Sequence, residues 1–192
     1  MPLSGPSTED LKKLHSEVNQ VVNQRHLITT LAITIFGVIA AWLIPREPPQ
    51  SGMPVGGFAF VGSLLMLTIL FLLFLYSHLL KRMLRIFSTY LRVTAKSDWE
   101  DDWRKFRHEG SYWGYTKPQT VLFLALGVIA MCWPILISLA YSLRLEPLVF
   151  FFVTLIAGFA YVIAVSGMGF AEWGSCEGSS EERWKKLNAS GS

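Results

Sequence analysis

Four long apolar stretches, none with a charged residue in its interior, constrain this chain more than any other feature. They cover residues 27–44, 58–80, 119–143 and 148–170. A helix that crosses a bilayer takes roughly 20 predominantly apolar residues, and each stretch is close to that length. A backbone inside lipid must satisfy its own hydrogen bonds, so an apolar run of this length is expected to be helical. The sequence therefore predicts an all-α integral membrane protein with four transmembrane helices and helical cytoplasmic extensions.

The composition agrees with spans better than with a large soluble core. Charged residues make up 16% of the 192 residues, whereas soluble domains carry about 25%. Residues 1–26 are mostly polar and too long for the charged start of a signal peptide, so the first stretch is predicted to stay in the mature chain. Cys132 lies in the third stretch and Cys176 in the tail, which predicts no disulfide framework.

The distribution of lysine and arginine predicts the orientation. Segments 1–26, 81–118 and 171–192 hold 15 of these residues, against 2, Arg46 and Arg144, in segments 45–57 and 144–147. Positive charge is retained in the cytoplasm. We therefore expect a bacterial inner-membrane protein with a cytoplasmic amphipathic helix (1–26), a cytoplasmic helical module (81–118) and a cytoplasmic tail (171–192). Segments 45–57 and 144–147 are the predicted periplasmic loops.

Apolar residues continue at helical spacing beyond the first two spans on the cytoplasmic side. These residues are Leu11, Leu14, Val18, Val21 and Val22 before the first span, and Met83, Leu84, Phe87 and Leu91 after the second. The preferred interpretation is that the two extensions pair as an antiparallel stalk. The alternative is that each lies on the membrane surface, with Lys81, Arg82 and Arg85 at the lipid phosphates.

Small residues recur at three-four spacing in the first and fourth spans, and such seams let helices approach closely in lipid. The first seam is Thr30, Thr34, Gly37 and Ala41, and the second seam is Ala157, Ala160, Ala164, Gly167 and Ala171. The preferred interpretation packs the two seams against each other within a chain. The other uses one of them to build a homo-oligomer. The spacing does not distinguish the two.

A proline interrupts the third span at Trp133-Pro134. Proline removes a backbone hydrogen bond and frees a carbonyl group toward neighbours or water. A tolerated bend is the preferred interpretation, and a gating kink is the functional one.

The segment 81–118 also carries an aromatic cluster: Trp99, Trp103, Phe106, Tyr112 and Trp113. Packing on the stalk, or lying at the lipid headgroups, is the preferred interpretation. Tryptophan and tyrosine also dominate interface hot spots, so the functional interpretation is a docking surface for a soluble cytoplasmic partner.

The densest polar cluster lies between Asp98 and Glu109. Its acidic residues alternate with Arg104 and Lys105, which favours a self-paired, solvated helix face over metal binding or acid–base chemistry. We therefore predict no catalytic residue, no metal and no cofactor. The basic residues are explained by topology, so no nucleic-acid contact is predicted. No span carries a charged residue for ion coupling, whereas a pore built from several copies is compatible with the sequence.

The polar helix at residues 17–25 runs directly into the first span, and the second span has a basic continuation. This layout resembles small multi-span membrane subunits of bacterial anti-phage operons, such as SLATT-type effectors and the four-span subunit of Kiwa systems. The resemblance covers roughly the first half of the chain, and four spans depart from the two-span SLATT pattern. It implies an oligomeric membrane component that senses infection or permeabilises the membrane with a soluble partner.

We therefore expect a non-enzymatic inner-membrane homo-oligomer that receives a cytoplasmic signal or partner and alters the bilayer. A passive anchor that recruits a soluble partner is the alternative. A membrane-bound enzyme that uses the acidic cluster is the third class.

Overall fold

The computed structural model describes residues 8–47, 49–95, 116–146 and 148–170, together with residue 182. These residues form four helices and no strand: α1 (Thr8–Leu43), α2 (Gly57–Ala95), α3 (Thr116–Tyr141) and α4 (Leu148–Phe170). Each helix is long and apolar enough to cross a membrane. The predicted all-helical class with four such helices is confirmed.

Helices α1 and α2 continue well beyond the predicted spans. They contain 36 and 39 residues, which corresponds to roughly 55 Å each at 1.5 Å per residue. They pack antiparallel, with Leu43 of α1 against Gly62 of α2. This register places Val21 level with Leu84, and Val21 and Leu91 are both buried. Each extension thus carries a buried apolar side chain, and the pairing of the two extensions as a stalk stays a prediction.

Helix α2 is the centre of the bundle because it packs broadly on all three other described helices. Its buried side chains include Phe60, Met66, Leu70 and Phe74. The Phe74 ring meets Phe123 of α3 in a T-shaped arrangement with centroids 5.5 Å apart. Helix α1 lies at the periphery, where it packs on α2 and only marginally on α3.

Helices α3 and α4 approach closely because glycines on each side receive a side chain from the other. Tyr161 of α4 lies over Gly127 of α3, and Met131 of α3 lies over Gly158 of α4. A Cβ atom added at either glycine would overlap the facing side chain. The Tyr161 hydroxyl also donates a hydrogen bond to the Phe123 carbonyl at 2.8 Å. Close contact of this kind is the main source of helix association in lipid.

The two short loops meet at one end of the bundle, which we call the loop end. Pro54 and Arg144 form an isolated parallel bridge. Around it, the amide of Val55 donates to the Arg144 carbonyl at 2.7 Å, and the amide of Arg144 donates to the Met53 carbonyl at 2.8 Å. Main-chain groups that would otherwise lack partners are thus paired between the loops. The opposite end, where α1 and α3 begin and α2 and α4 end, is the terminal end.

Helix α3 ends at Tyr141, two residues before the predicted limit of the third span. Ser142 adopts a left-handed conformation with φ of 53°. The amide of Leu143 then donates back to the Ser138 carbonyl at 2.9 Å. This is the hydrogen bond of a Schellman cap, which stops the helix and turns the chain toward the other loop.

Candidate functional site

The first seam lies on an open face of α1. Thr30, Thr34, Gly37 and Ala41 are all exposed, and a Cβ atom added at Gly37 would meet nothing within 4 Å. The two hydroxyls donate to carbonyls of their own helix, Thr30 to His26 at 3.2 Å and Thr34 to Thr30 at 3.0 Å. The seam therefore leaves no hydroxyl unpaired, and no other part of the described chain covers it.

The second seam does not coincide with the packed face of α4. That face consists of Thr154, Gly158, Tyr161, Val165 and Gly169. Within the second seam, Ala160 and Gly167 are exposed, Ala157 and Ala164 are half-buried, and Ala171 lies outside the described residues. Helices α1 and α4 make no contact with each other over the described ranges. The two seams therefore do not pack on each other within one chain, and their use between copies stays a prediction.

The proline of the third span leaves one backbone carbonyl without its helical hydrogen bond, and a neighbouring helix supplies the missing donor. Helix α3 continues through the buried Pro134, which lacks the N–H that would bond the Ala130 carbonyl four residues earlier. The hydroxyl of Ser63, buried on α2, donates to this carbonyl instead. Backbone groups freed inside a membrane helix are expected to find such a partner. A gating role for Trp133-Pro134 stays a prediction.

The contact between α1 and α3 contains both buried side-chain nitrogens that lack a hydrogen bond among the described residues. One is Nε1 of Trp133, whose ring meets Phe36 of α1 edge-on with centroids 6.4 Å apart. The other is Nε of Arg25. Buried donors without an acceptor are rare in folded proteins. This contact is therefore the place in the described core where buried hydrogen-bond donors lack acceptors.

A polar network joins α1 to α3 at the terminal end. Arg25 donates through Nη2 to the Oε1 atom of Gln119. The Nε2 atom of Gln119 donates to the Thr29 hydroxyl at 2.8 Å, and that hydroxyl donates to the Arg25 carbonyl at 3.0 Å. Gln119 thus holds Arg25 in place at the start of the first apolar stretch.

A small cavity of about 10 Å³ lies beside this network, and all four helices contribute to it. Its polar lining consists of Arg25 from α1, Ser77, His78 and Lys81 from α2, and Gln119 and Thr120 from α3. Phe74 and Gly169 complete it. A Cβ atom added at Gly169 would overlap Thr120, so this glycine lets α4 close the cavity. We call this cavity the terminal-end site.

Sequence reasoning did not single out Gln119, Ser77 or Thr120. Their signal was weak, because single polar residues at the edge of an apolar stretch are common and interrupt no motif. Gln119 directly follows Pro118 in the first turn of α3, a position that faces Arg25 only after the helices pack.

The predicted docking residues Trp99, Trp103, Phe106, Tyr112 and Trp113 lie outside the described residues, as does the acidic cluster between Asp98 and Glu109. Over the described ranges, no group of three or more His, Cys, Asp or Glu side chains is arranged to hold a metal ion.

Four long apolar helices around a filled core define the chain as having the architecture of a multi-pass membrane protein. No family model, curated protein or solved structure matches it. The resemblance to anti-phage membrane subunits therefore stays a prediction from the layout of the sequence.

Proposed function

We propose that this protein is a non-enzymatic homo-oligomer of the bacterial inner membrane, with both termini in the cytoplasm. In this proposal it receives a cytoplasmic signal or soluble partner and alters the bilayer. The observation that carries the proposal is the first seam, whose four small residues lie exposed on α1 with open space at Gly37. Small residues on an open helix face allow a second helix to approach closely in lipid.

The interior of the described bundle is filled, which supports the view that a conduction path would require several copies of the chain. Phe60, Phe123, Met66 and Leu70 are fully buried and occupy the centre of the described bundle. A conduction path needs a lining of hydroxyls, backbone groups or apolar constrictions around open space. Such a path would therefore form between chains and not through one.

Helix α1 is the element best suited to respond to a signal. Among the described helices it packs broadly on α2 alone, and its contact with α3 contains both buried nitrogens that lack a hydrogen bond in the described part of the chain. Its N-terminal extension, from Thr8, continues past the first apolar stretch at the terminal end. A partner that pulls on this extension would act on the helix that carries the first seam.

The finer proposal is a role in anti-phage defence, as a sensor or as a channel-like effector that permeabilises the membrane. It is supported by the layout of residues 17–25 and of the first two helices.

The test is the mass of the complex in nanodiscs, compared between the natural chain and Gly37→Leu. Because a Cβ atom at Gly37 meets nothing in its own chain, the leucine should leave the single chain folded and separate the copies. Val38→Leu is the matched control, since Val38 is 64% exposed on the same helix and lies outside the seam. A strictly monomeric natural chain would refute the proposal.

Flux through liposomes then separates a pore from a sensor. A channel-like effector should release a trapped ion as the natural oligomer and fail to do so as Gly37→Leu. An intact oligomer that releases nothing, with or without a partner, would limit the proposal to sensing.

The alternative function is a passive anchor that recruits a soluble partner. The observation that favours it is the length of α2, which continues to Ala95, roughly 22 Å beyond Leu80 at 1.5 Å per residue. Residues 96–115, with the predicted docking aromatics, follow this distant point. Alanine at Trp99, Trp103 and Phe106 should then abolish co-purification of the partner while insertion stays intact.

A further inference from the structure

Helix α1 is fixed to the rest of the bundle at the loop end. Its last residue, Leu43, lies over Gly62 of α2, where an added Cβ atom would overlap the leucine. The loop that follows is paired with the loop between α3 and α4 by three main-chain hydrogen bonds, one of them from the amide of Val55 to the Arg144 carbonyl at 2.7 Å. The loop end is therefore the fixed end of α1.

At the terminal end, α1 is held on α3 by hydrogen bonds that pass through one side chain. Gln119 of α3 accepts from Nη2 of Arg25 and donates to the Thr29 hydroxyl at 2.8 Å. All three side chains are half-buried. Hydrogen bonds at the edge of an apolar stretch can be exchanged for bonds to water. This contact can thus be broken and remade, and we call its three residues the latch.

Between these two ends, α1 meets α3 through an aromatic contact. The rings of Phe36 and Trp133 meet edge-on with centroids 6.4 Å apart, and the buried Nε1 of Trp133 has no hydrogen-bond acceptor among the described residues. A buried donor without an acceptor opposes the closed contact, because the same N–H group would bond any water that reached it. The closed arrangement is therefore held at the latch and opposed at Trp133.

Helix α2 leaves α1 room to move away from α3. Phe60 of α2 faces α4, where it stacks on Phe150, and Gly62 faces Leu43 of α1. Val61 lies between these two sides, roughly 100° around the helix from each, and is 57% exposed. The same exposed stripe continues through Leu65, Thr68, Leu72, Tyr76 and Leu79. Helix α1 can therefore shift over this side of α2 without meeting α4.

We propose that α1 is a strap that opens and closes on α3, fixed at the loop end and fastened at the terminal end by the latch. On opening, α1 shifts over the exposed stripe of α2, and Phe36 separates from Trp133. A crevice then forms between α1 and α3, and water that enters it supplies the acceptor that Trp133 lacks. Small sliding movements of one packed helix over another are a common form of conformational change.

The strap is a property of a single chain and does not depend on the proposed oligomer. Its contacts all lie within one chain, and no residue of the latch belongs to the first seam. The first seam lies on the same helix, so opening would move it relative to α3. A strap that fails its test would leave the proposed oligomer untouched.

The test is pulsed electron paramagnetic resonance of the full chain in nanodiscs, which measures the distance between two nitroxide labels. Leu27→Cys and Val121→Cys carry the labels, with Cys132→Ser and Cys176→Ser to remove the natural thiols. Leu27 is 68% exposed and Val121 is 44% exposed. Each lies two residues from a latch residue, roughly 200° around its helix, so the labels point away from the contact. An excess of unlabelled chain restricts the measured distances to single chains.

Gln119→Leu removes both hydrogen bonds of the latch at nearly constant size. One of the two has a charged donor, so their loss should raise the ratio of open to closed chains by at least about tenfold. We expect the natural chain to give one short distance and this variant to add a longer one. Gln119→Glu keeps the oxygen that accepts from Arg25 and adds a negative charge, so it should keep the short distance.

Gln20→Leu is the matched control, because it makes the same exchange on an exposed side chain of α1 outside the latch. It should leave the distance unchanged. A second label pair, Leu79→Cys with Val121→Cys, joins α2 to α3 at the same end of the bundle, and its distance should not change in Gln119→Leu. An increase in both label pairs, or an equal increase in Gln20→Leu, would show general loosening and overturn the strap.

Thermal unfolding checks that each variant is folded. An unchanged distance between the labels at Leu27 and Val121 in a folded Gln119→Leu variant would overturn the strap. If that variant does not fold, Arg25→Met breaks the latch from α1 and removes one of its two hydrogen bonds. It should add the longer distance in a smaller share of chains, and an unchanged distance in Arg25→Met would overturn the strap as well.

Discussion

Helices α1 and α3 both contain a glycine near the middle of an apolar stretch, yet the two glycines have opposite surroundings. Gly127 of α3 is covered by the Tyr161 ring, whereas a Cβ atom at Gly37 of α1 would meet nothing within 4 Å. Helix α3 is also joined to α2 through Ser63 and to α4 through the Tyr161 hydroxyl. Of the three other described helices, α1 packs broadly on α2 alone.

The difference shows that a small residue in a membrane helix has two distinct uses. At Gly127 it brings two helices of the same chain together, because any side chain there would collide with a rigid ring. At Gly37 it leaves a shallow face that a second chain can fill. The same residue type therefore marks a core contact on one helix and an open surface on another.

The largest expected loss of stability comes from a substitution at Gly127 of α3. Gly127→Ala places a methyl group against the Tyr161 ring, so the ring must move and its hydrogen bond to the Phe123 carbonyl must lengthen or break. We expect a loss of about 2–4 kcal/mol in the free energy of unfolding, of which about 1–3 kcal/mol comes from overpacking and about 1 kcal/mol from the hydrogen bond. Unfolding by sodium dodecyl sulfate in mixed micelles measures it. A loss no larger than that of Gly37→Ala would contradict the comparison.

An intermediate effect is expected at the hydrogen bond between Ser63 and the Ala130 carbonyl. Ser63→Ala leaves that carbonyl buried and unpaired, at a cost of about 1–2 kcal/mol in the same assay. In a Pro134→Ala background, the new amide at residue 134 bonds the carbonyl, so Ser63→Ala should cost less than half as much. This double-mutant cycle isolates the link between the proline and the serine.

Thr68→Ala is the control for that cycle. Its exposed hydroxyl donates only to Leu64 of the same helix, at 2.8 Å. We expect a change within about 0.5 kcal/mol. A cost for Ser63→Ala that is the same with and without Pro134 would show that the serine does not compensate for the proline.

The smallest effect is expected on α1. Gly37→Ala adds a methyl group to open space, so the stability of the isolated chain should change by no more than about 0.5 kcal/mol. The measurement is made in detergent at a concentration that separates any copies. A loss comparable to that of Gly127→Ala under these conditions would show that α1 is packed within the chain and remove the contrast between the two helices.

Much of the helical framework could be predicted from the sequence. The four apolar stretches predicted the four helices, and the continued three-four spacing predicted that α1 and α2 extend past them. Helix α3 ends at Tyr141, inside the predicted apolar stretch 119–143, because Ser142 takes a left-handed conformation. A glycine at that position would have been a clearer signal in the sequence. The pairing of the two loops through Pro54 and Arg144 left no pattern in the sequence.

The candidate sites were harder to predict from the sequence than the helices were. Trp133-Pro134 was visible as an interruption of the third stretch, but its partner Ser63 was one hydroxyl among several. Arg25 was visible as a basic residue before a span, whereas Gln119 had no signal of its own. Hydrogen bonds between residues 67 to 94 positions apart depend on which helix faces meet.

The sequence by itself determined that four helices form and where their apolar parts lie. The physical reason is local, because a long uncharged run in lipid must bond its own backbone and only a helix does so within one segment. Tertiary structure alone decided which faces pack. Small residues occur on several faces of each helix, and shape complementarity with a neighbour selects among them. That selection placed Gly127 in the core, left Gly37 open and brought Arg25, Lys81 and Gln119 around one cavity.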